Sequence, residues 1–135
     1  MATTTATITL SSADMMDNAI SISNAATLTT AGAATGLTET TGLARRKFAS
    51  SSKVDLVTIA NTDIPTDKST KIFIRNTNAR DASKYVIILL NSQEIGRLYG
   101  GDWMFMPLLG GSGEDIEIDP SDTTETIIEY MVFFE

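Results

Sequence analysis

The stretch Lys84–Leu109, KYVIILLNSQEIGRLYGGDWMFMPLL, decides how the chain is read. It holds an apolar run, a polar turn at Asn91–Gln93, a second amphipathic run, a Gly100–Gly101 break and an aromatic third run that meets Pro107. Three short runs divided by turn residues predict three strands folding back on one another as a meander. Tyr85–Leu90 is apolar at every position, as in a strand buried on both sides. Pro107 ends the third run or places it at a sheet edge, because proline donates no ladder hydrogen bond.

Working outward, the runs continue at regular spacing. Lys53–Ala60 precedes a turn-rich segment, 61–69, and Lys71–Arg75 sets Ile72 and Ile74 on one face with Phe73 between two cations on the other. Asn76–Ser83 is a polar loop. Beyond the flexible glycines of 110–113, Asp115–Asp119 alternates, with Ile116 and Ile118 predicted inward and the carboxylates in water. In Glu125–Glu135, Ile128, Tyr130, Val132 and Phe134 share one face, while Glu129, Met131 and Phe133 share the other. Large apolar residues on an outward face mark an interface. Many short strands and little helical periodicity predict an all-β fold, an antiparallel β-sandwich or jelly roll, over residues 53–135.

Residues 1–52 differ in kind. Thr, Ala and Ser dominate, and the only aromatic is Phe48. Thr5–Leu10 and Ala19–Ser23 alternate with period two, giving apolar edges of Ile8 with Leu10 and of Ile20 with Ile22. Ala13–Asn18 reads as a helical turn capped by Ser12, and Thr27–Gly42 offers little to bury. Ordering a residue costs about 1–2 kcal/mol, while burying one Ile contributes roughly 1.5–3 kcal/mol. With so few large side chains, this half is expected to be an extended N-terminal arm that orders against a neighbour; the alternative is a disordered or merely local N-terminal segment. Arg45, Arg46, Lys47 and Phe48 form the tight basic cluster of the chain. It reads either as a solvated patch or as a contact to an acidic face with Phe48 as its apolar anchor.

The bulk composition narrows the function. The 135 residues carry a net charge of −7, which argues against nucleic acid as a partner. There is no Cys and no His, so disulfides, the usual transition-metal ligands and the commonest general base are missing. No GxSxG or SxxK pattern occurs, and GlyGlySerGly (110–113) lacks the Lys-Ser/Thr of a phosphate loop. Glu114/Asp115 and Asp119/Asp122 read as solvated carboxylates rather than an acid–base pair or a calcium site. No catalytic residue, metal or cofactor is therefore expected, nor an enzyme. The start MATTTATITL has no basic, apolar leader pattern and no run is long enough to span a membrane, so cytoplasmic synthesis is expected. Trp103 reads as a core or subunit-contact residue; with Tyr99 and Phe105 it could otherwise form an aromatic platform for sugars.

Three segments carry a family resemblance: Ile74–Asn78 (IRNTN), Glu94–Pro107 (EIGRLYGGDWMFMP) and Glu129–Glu135 (EYMVFFE). With the apolar strand between them they resemble the small virion structural proteins of tailed bacteriophages. The resemblance covers Val57 to Glu135 and lies in the style of the sequence, and the Thr/Ala-rich half is similar to phage head proteins in composition. It implies a capsid decoration or cement protein, a small β-rich trimer seated on the shell and tying neighbouring capsomers together. Its partners would be the major capsid protein or other virion proteins, with no membrane and no nucleic acid. Its place would be the capsid surface, after assembly in the host cytoplasm; a tail or fibre component is the alternative. The partner-binding residues would then be Ile8, Leu10, Ile20 and Ile22 of the arm, Arg45–Phe48, Trp103 and Phe133.

Overall fold

Alternation of Ile and Val with polar residues builds eleven strands in the computed structural model, which describes residues 4–13, 19–29, 37, 39–49, 52–58, 69–109, 115–121 and 125–134. They are β1 (Thr4–Ser12), β2 (Ile20–Leu28), β3 (Glu39–Thr40), β4 (Ala44–Phe48), β5 (Val54–Val57), β6 (Ser69–Asn76), β7 (Tyr85–Leu90), β8 (Gln93–Tyr99), β9 (Trp103–Leu109), β10 (Ile116–Pro120) and β11 (Thr126–Phe134). The protein is all-β with antiparallel sheets, as the sequence predicts. It divides into two compact units, Met1–Thr38 and Glu39–Glu135.

The second unit is a β-sandwich. One sheet has the order β5-β10-β7-β8; in the other, β9, β6 and β11 follow one another, and both β3 and β4 lie along the far edge of β11. The pairings nest: β7 pairs β8, β6 pairs β9, β5 pairs β10 and β4 pairs β11, all antiparallel. Four successive pairs thus enclose one turn at Asn91–Ser92, where both residues have positive φ (47° and 64°), the geometry that matches the twist of a hairpin. The pairs β6–β11 and β7–β10 then join this long, doubled ribbon into its two sheets.

The core lies between the sheets. Ile72 and Ile74 of β6, Ile128 and Val132 of β11, Val86 and Ile88 of β7, and Ile116 and Ile118 of β10 have no solvent exposure. Each fully buried aliphatic side chain stabilises the fold by roughly 1.5–3 kcal/mol, so this alternation is what fixes the strand registers.

The predicted meander over Lys84–Leu109 is corrected by the pairing. β7 and β8 do form a hairpin, but β9 leaves them and pairs β6 in the opposite sheet. The crossing is made at Gly100, where a Cβ would fall 2.2 Å from the Ala79 carbonyl oxygen. Only glycine lets the two backbones approach that closely. Asn76 secures the same corner. It is buried; its N–H donates to the Asp102 carbonyl, its carbonyl accepts from Gly101 N–H, its Nδ2 donates to the Leu98 carbonyl, and its Oδ1 accepts from Asn78 N–H. Pro107 lies within β9, an edge strand, where its missing donor is tolerated.

The boundary expected at 52/53 falls earlier, because Glu39–Phe48 belongs to the sandwich. Between β3 and β4 the chain bulges. Thr41 keeps the ladder by proxy: its N–H donates to the Val132 carbonyl while its Oγ1 accepts from Val132 N–H, and Gly42 takes a φ of +73°.

The first unit contains the β1–β2 hairpin, paired from Thr4↔Leu28 to Ser12↔Ile20. Residues directly opposite one another share a face. Ala6, Ile8, Leu10, Ile20, Ile22 and Ala26 therefore line one side, and Thr5, Thr7, Thr9, Ser11, Ser21, Ser23 and Thr27 the other. Leu28 and Leu37 are buried, and Leu37 N–H donates to the Leu28 carbonyl. This corrects the reading of Thr27–Gly42 as having little to bury. The helical turn predicted over Ala13–Asn18 lies outside the described residues from position 14 onward.

Candidate functional site

The outer face of the five-stranded sheet is the most distinctive surface of the sandwich. Along β6, burying Ile72 and Ile74 turns Lys71, Phe73 and Arg75 outward; along β9, Trp103, Phe105, Pro107 and Leu109; along β11, Ile127, Glu129, Met131 and Phe133. Phe73 stands directly between Phe105 and Met131 in the register. Its ring centroid lies 6.4 Å from that of Trp103, and Phe105 meets Phe133 edge-on at 6.2 Å. Trp103 is 50% exposed and Leu109 70%. Trp103 and Phe133, both predicted as contact residues, thus lie on one continuous aromatic face. Phe73, Phe105 and Met131 complete it; the alternation about Ile72 and Ile74 set Phe73 on the outward side without marking it as a contact residue.

Cations surround these rings. Arg45 and Lys47 of β4 project on the same side, opposite Glu129 and Ile127. Glu129 is buried between Arg45, which donates to its Oε1 from both Nε and Nη2, and Arg75, whose Nη1 lies 4.0 Å from Oε2. Lys47 pairs with Glu125. The face so carries Arg45, Lys47, Lys71 and Arg75 against Glu129 and Glu125.

The basic cluster is therefore built into the fold rather than offered whole to a neighbour. Arg46 turns to the open side of the sandwich, where its Nη1 donates to the carbonyls of Asp55 (2.7 Å) and Leu56 (3.2 Å) on β5. Its guanidinium also covers the Phe48 ring at 5.0 Å. Phe48 itself is a core residue and not an exposed anchor, because it faces inward opposite Thr126. Arg45 and Lys47 are held by Glu129 and Glu125, which sit some 80 residues away in sequence and gave no local signal.

The proposed sugar platform is not assembled. Tyr99 belongs to the other sheet and pairs with Tyr85 (5.4 Å), whose ring lies under Arg97. That second outer face is acidic. Asp55, Glu94, Glu117 and Asp119 project there with Ile87, Tyr85 and Tyr99. Contrary to expectation, Glu117 is not in water. It is buried, ion-paired to Lys53 Nζ at 2.7 Å, and accepts from Ser92 N–H at 2.5 Å. The Lys53 bond is the main cause holding its carboxyl below the usual value, against the opposing effect of burial.

A groove of about 400 Å³ opens between the β3–β4 bulge and β5, lined by Thr41, Ala44, Leu56, Val57, Thr58, Tyr130 and Val132. Among the described residues that line it, Tyr130 is the one titratable group. Among the described residues no three carboxylates gather to hold a metal ion. Of the carboxylate pairs weighed above, Glu114 and Asp122 lie outside the described residues. On the hairpin, Ile8 (42%), Leu10 (56%) and Ile22 (47%) are exposed and Ile20 is partly so. No protein-family model, curated protein or solved structure matches the chain.

Proposed function

We propose that the protein is a structural component of a virion, a decoration or cement protein that binds the head of a tailed phage, and that it is not an enzyme. The observation that carries this is the β1–β2 ribbon. It forms a unit of its own, no Lys, Arg, Asp or Glu occurs in either strand, and one side exposes Ile8, Leu10 and Ile22. Two strands alone are marginal in water, and uncharged edges without proline invite strand addition. A ribbon of this kind suits docking onto a sheet edge or apolar face of a neighbouring shell subunit. The nested pairing supports the same reading: eight strands wound as a doubled ribbon into two sheets are the arrangement expected of a jelly roll, an architecture used by capsid proteins. The virion-like style of Val57–Glu135 agrees, and implies three copies per assembly.

The test is co-sedimentation with purified heads of the phage that carries the gene. Replacing Leu10 and Ile22 together by Thr keeps strand propensity and removes the apolar face. Binding is expected to weaken at least tenfold while the sandwich stays folded. Undiminished binding to heads would overturn the role of the ribbon, and binding to isolated tails alone would move the protein to that part of the virion.

A further inference from the structure

The two outer faces of the sandwich are opposites. One carries Trp103, Phe73, Phe105, Met131 and Phe133 amid four cations and two carboxylates. The other carries Asp55, Glu94, Glu117 and Asp119 against two cations, Arg97 and the Lys53 bound to Glu117, around partly buried Ile87, Tyr85 and Tyr99. In a chain of net charge −7, gathering the cations onto the aromatic face leaves the remainder strongly acidic. Aromatic residues, Met and Arg are the composition of protein–protein contact cores. The outward positions of β6, β9 and β11 hold no Asn, Gln or Asp to read the hydroxyls of a sugar.

We infer that the aromatic face is covered by the acidic outer face of a second copy of this chain. Like charges decide the symmetry. Two aromatic faces packed about a two-fold axis would set a surplus of two cations against the same surplus, whereas the acidic face offers the opposite sign, so the contact is heterologous, one face on the other. A heterologous contact continues from copy to copy, closing into a ring or running on as a stack, and does not stop at two. The inference concerns self-association and stands apart from binding to any shell.

Sedimentation velocity on the full chain tests it, followed by mixing. The wild type is expected to exceed twice 14.5 kDa as concentration rises. Trp103→Glu breaks the aromatic face, and Asp55→Lys with Glu94→Lys breaks the acidic one. All three side chains are exposed, and circular dichroism checks each fold. Each variant alone should sediment as a monomer, and an equimolar mixture should form a species of two copies through the one remaining intact contact. Leu109→Glu, at the other end of β9, should act as Trp103→Glu does. A wild type that stays monomeric, a dimer that grows no further, or a mixture that stays monomeric would each overturn the proposal.

Discussion

Arg45 and Glu129 sit directly opposite in the β4–β11 register, and the guanidinium closes on the buried carboxylate with two of its nitrogens. The pair is the lock that holds an edge strand of three consecutive cations onto the sheet. Hydrogen bonds to charged groups contribute about 1.5–3 kcal/mol, but the Arg45 side chain is 66% exposed, and solvent screens it. Glu129→Gln is therefore expected to lower unfolding stability by about 1 kcal/mol, measured by urea titration. An unchanged midpoint would show that the pair does not hold the strand.

Neighbours on β6 should respond unequally to truncation. Ile74 is fully buried in the core, whereas Phe73 faces outward and is half-buried. Ile74→Ala should cost about 2–5 kcal/mol and Phe73→Ala about 1 kcal/mol, read from denaturant midpoints. Equal costs would mean the face assignment, and the aromatic surface with it, is misplaced.

Asn76 gives a sharper test of the corner between the sheets. Asn76→Ala would leave the Leu98 carbonyl and the Asn78 N–H without their side-chain partner. Stranding buried polar groups costs about 1–3 kcal/mol each. A loss near 2–3 kcal/mol in thermal or urea unfolding is expected, with little change in the far-ultraviolet spectrum.

Glu117 makes stability depend on pH. Its carboxyl is held below the ordinary value of 4.5, chiefly by Lys53. The folded chain therefore binds fewer protons there than the unfolded chain, so the stabilisation is whole above pH 4.5 and drains away as pH falls beneath it. Glu117→Gln should be less stable than wild type at pH 7, and the gap should narrow on acidification below 4.5. A gap that holds constant to pH 3 would show that Lys53 and Ser92 do not act through the charge.

Apolar runs set between turn residues, most of them alternating with period two, made nine of the eleven strands legible, because Ile and Val mark the buried side wherever one face meets the core. β6 and β11 were readable to the residue face for that reason. The missed strands, β3 and β4, show what alternation does not carry. Arg45, Arg46 and Lys47 read as surface charge because the groups that make them strand residues, Glu129, Glu125 and the carbonyls of Asp55 and Leu56, are remote in sequence. Sheet membership was hidden likewise. The passage of β9 to the opposite sheet depends on Gly100 fitting against Ala79, a contact without a local pattern. Of the candidate contact residues, Trp103 was singled out from an apolar run and Phe133 from an outward-facing large side chain, and both lie on the outer face of the five-stranded sheet; Phe48 was misjudged because a lone aromatic beside cations says nothing of which way it turns.

The nested pairing also sets an order of events during synthesis. The innermost pair, β7 with β8, can close as soon as residue 99 has emerged. β6 must wait for β9, β5 for β10, and β4 for β11, with Arg45 and Glu129 separated by 84 positions in the sequence. Since β11 lies between β4 and β6, its absence leaves two strand edges open until Thr126–Phe134 has been made. At about 5–20 residues per second that exposure lasts seconds. The nascent chain is thus an incomplete sheet seeking a strand, and the cations of β4 and β6 that later rim the aromatic face also guard those edges against pairing with another nascent chain.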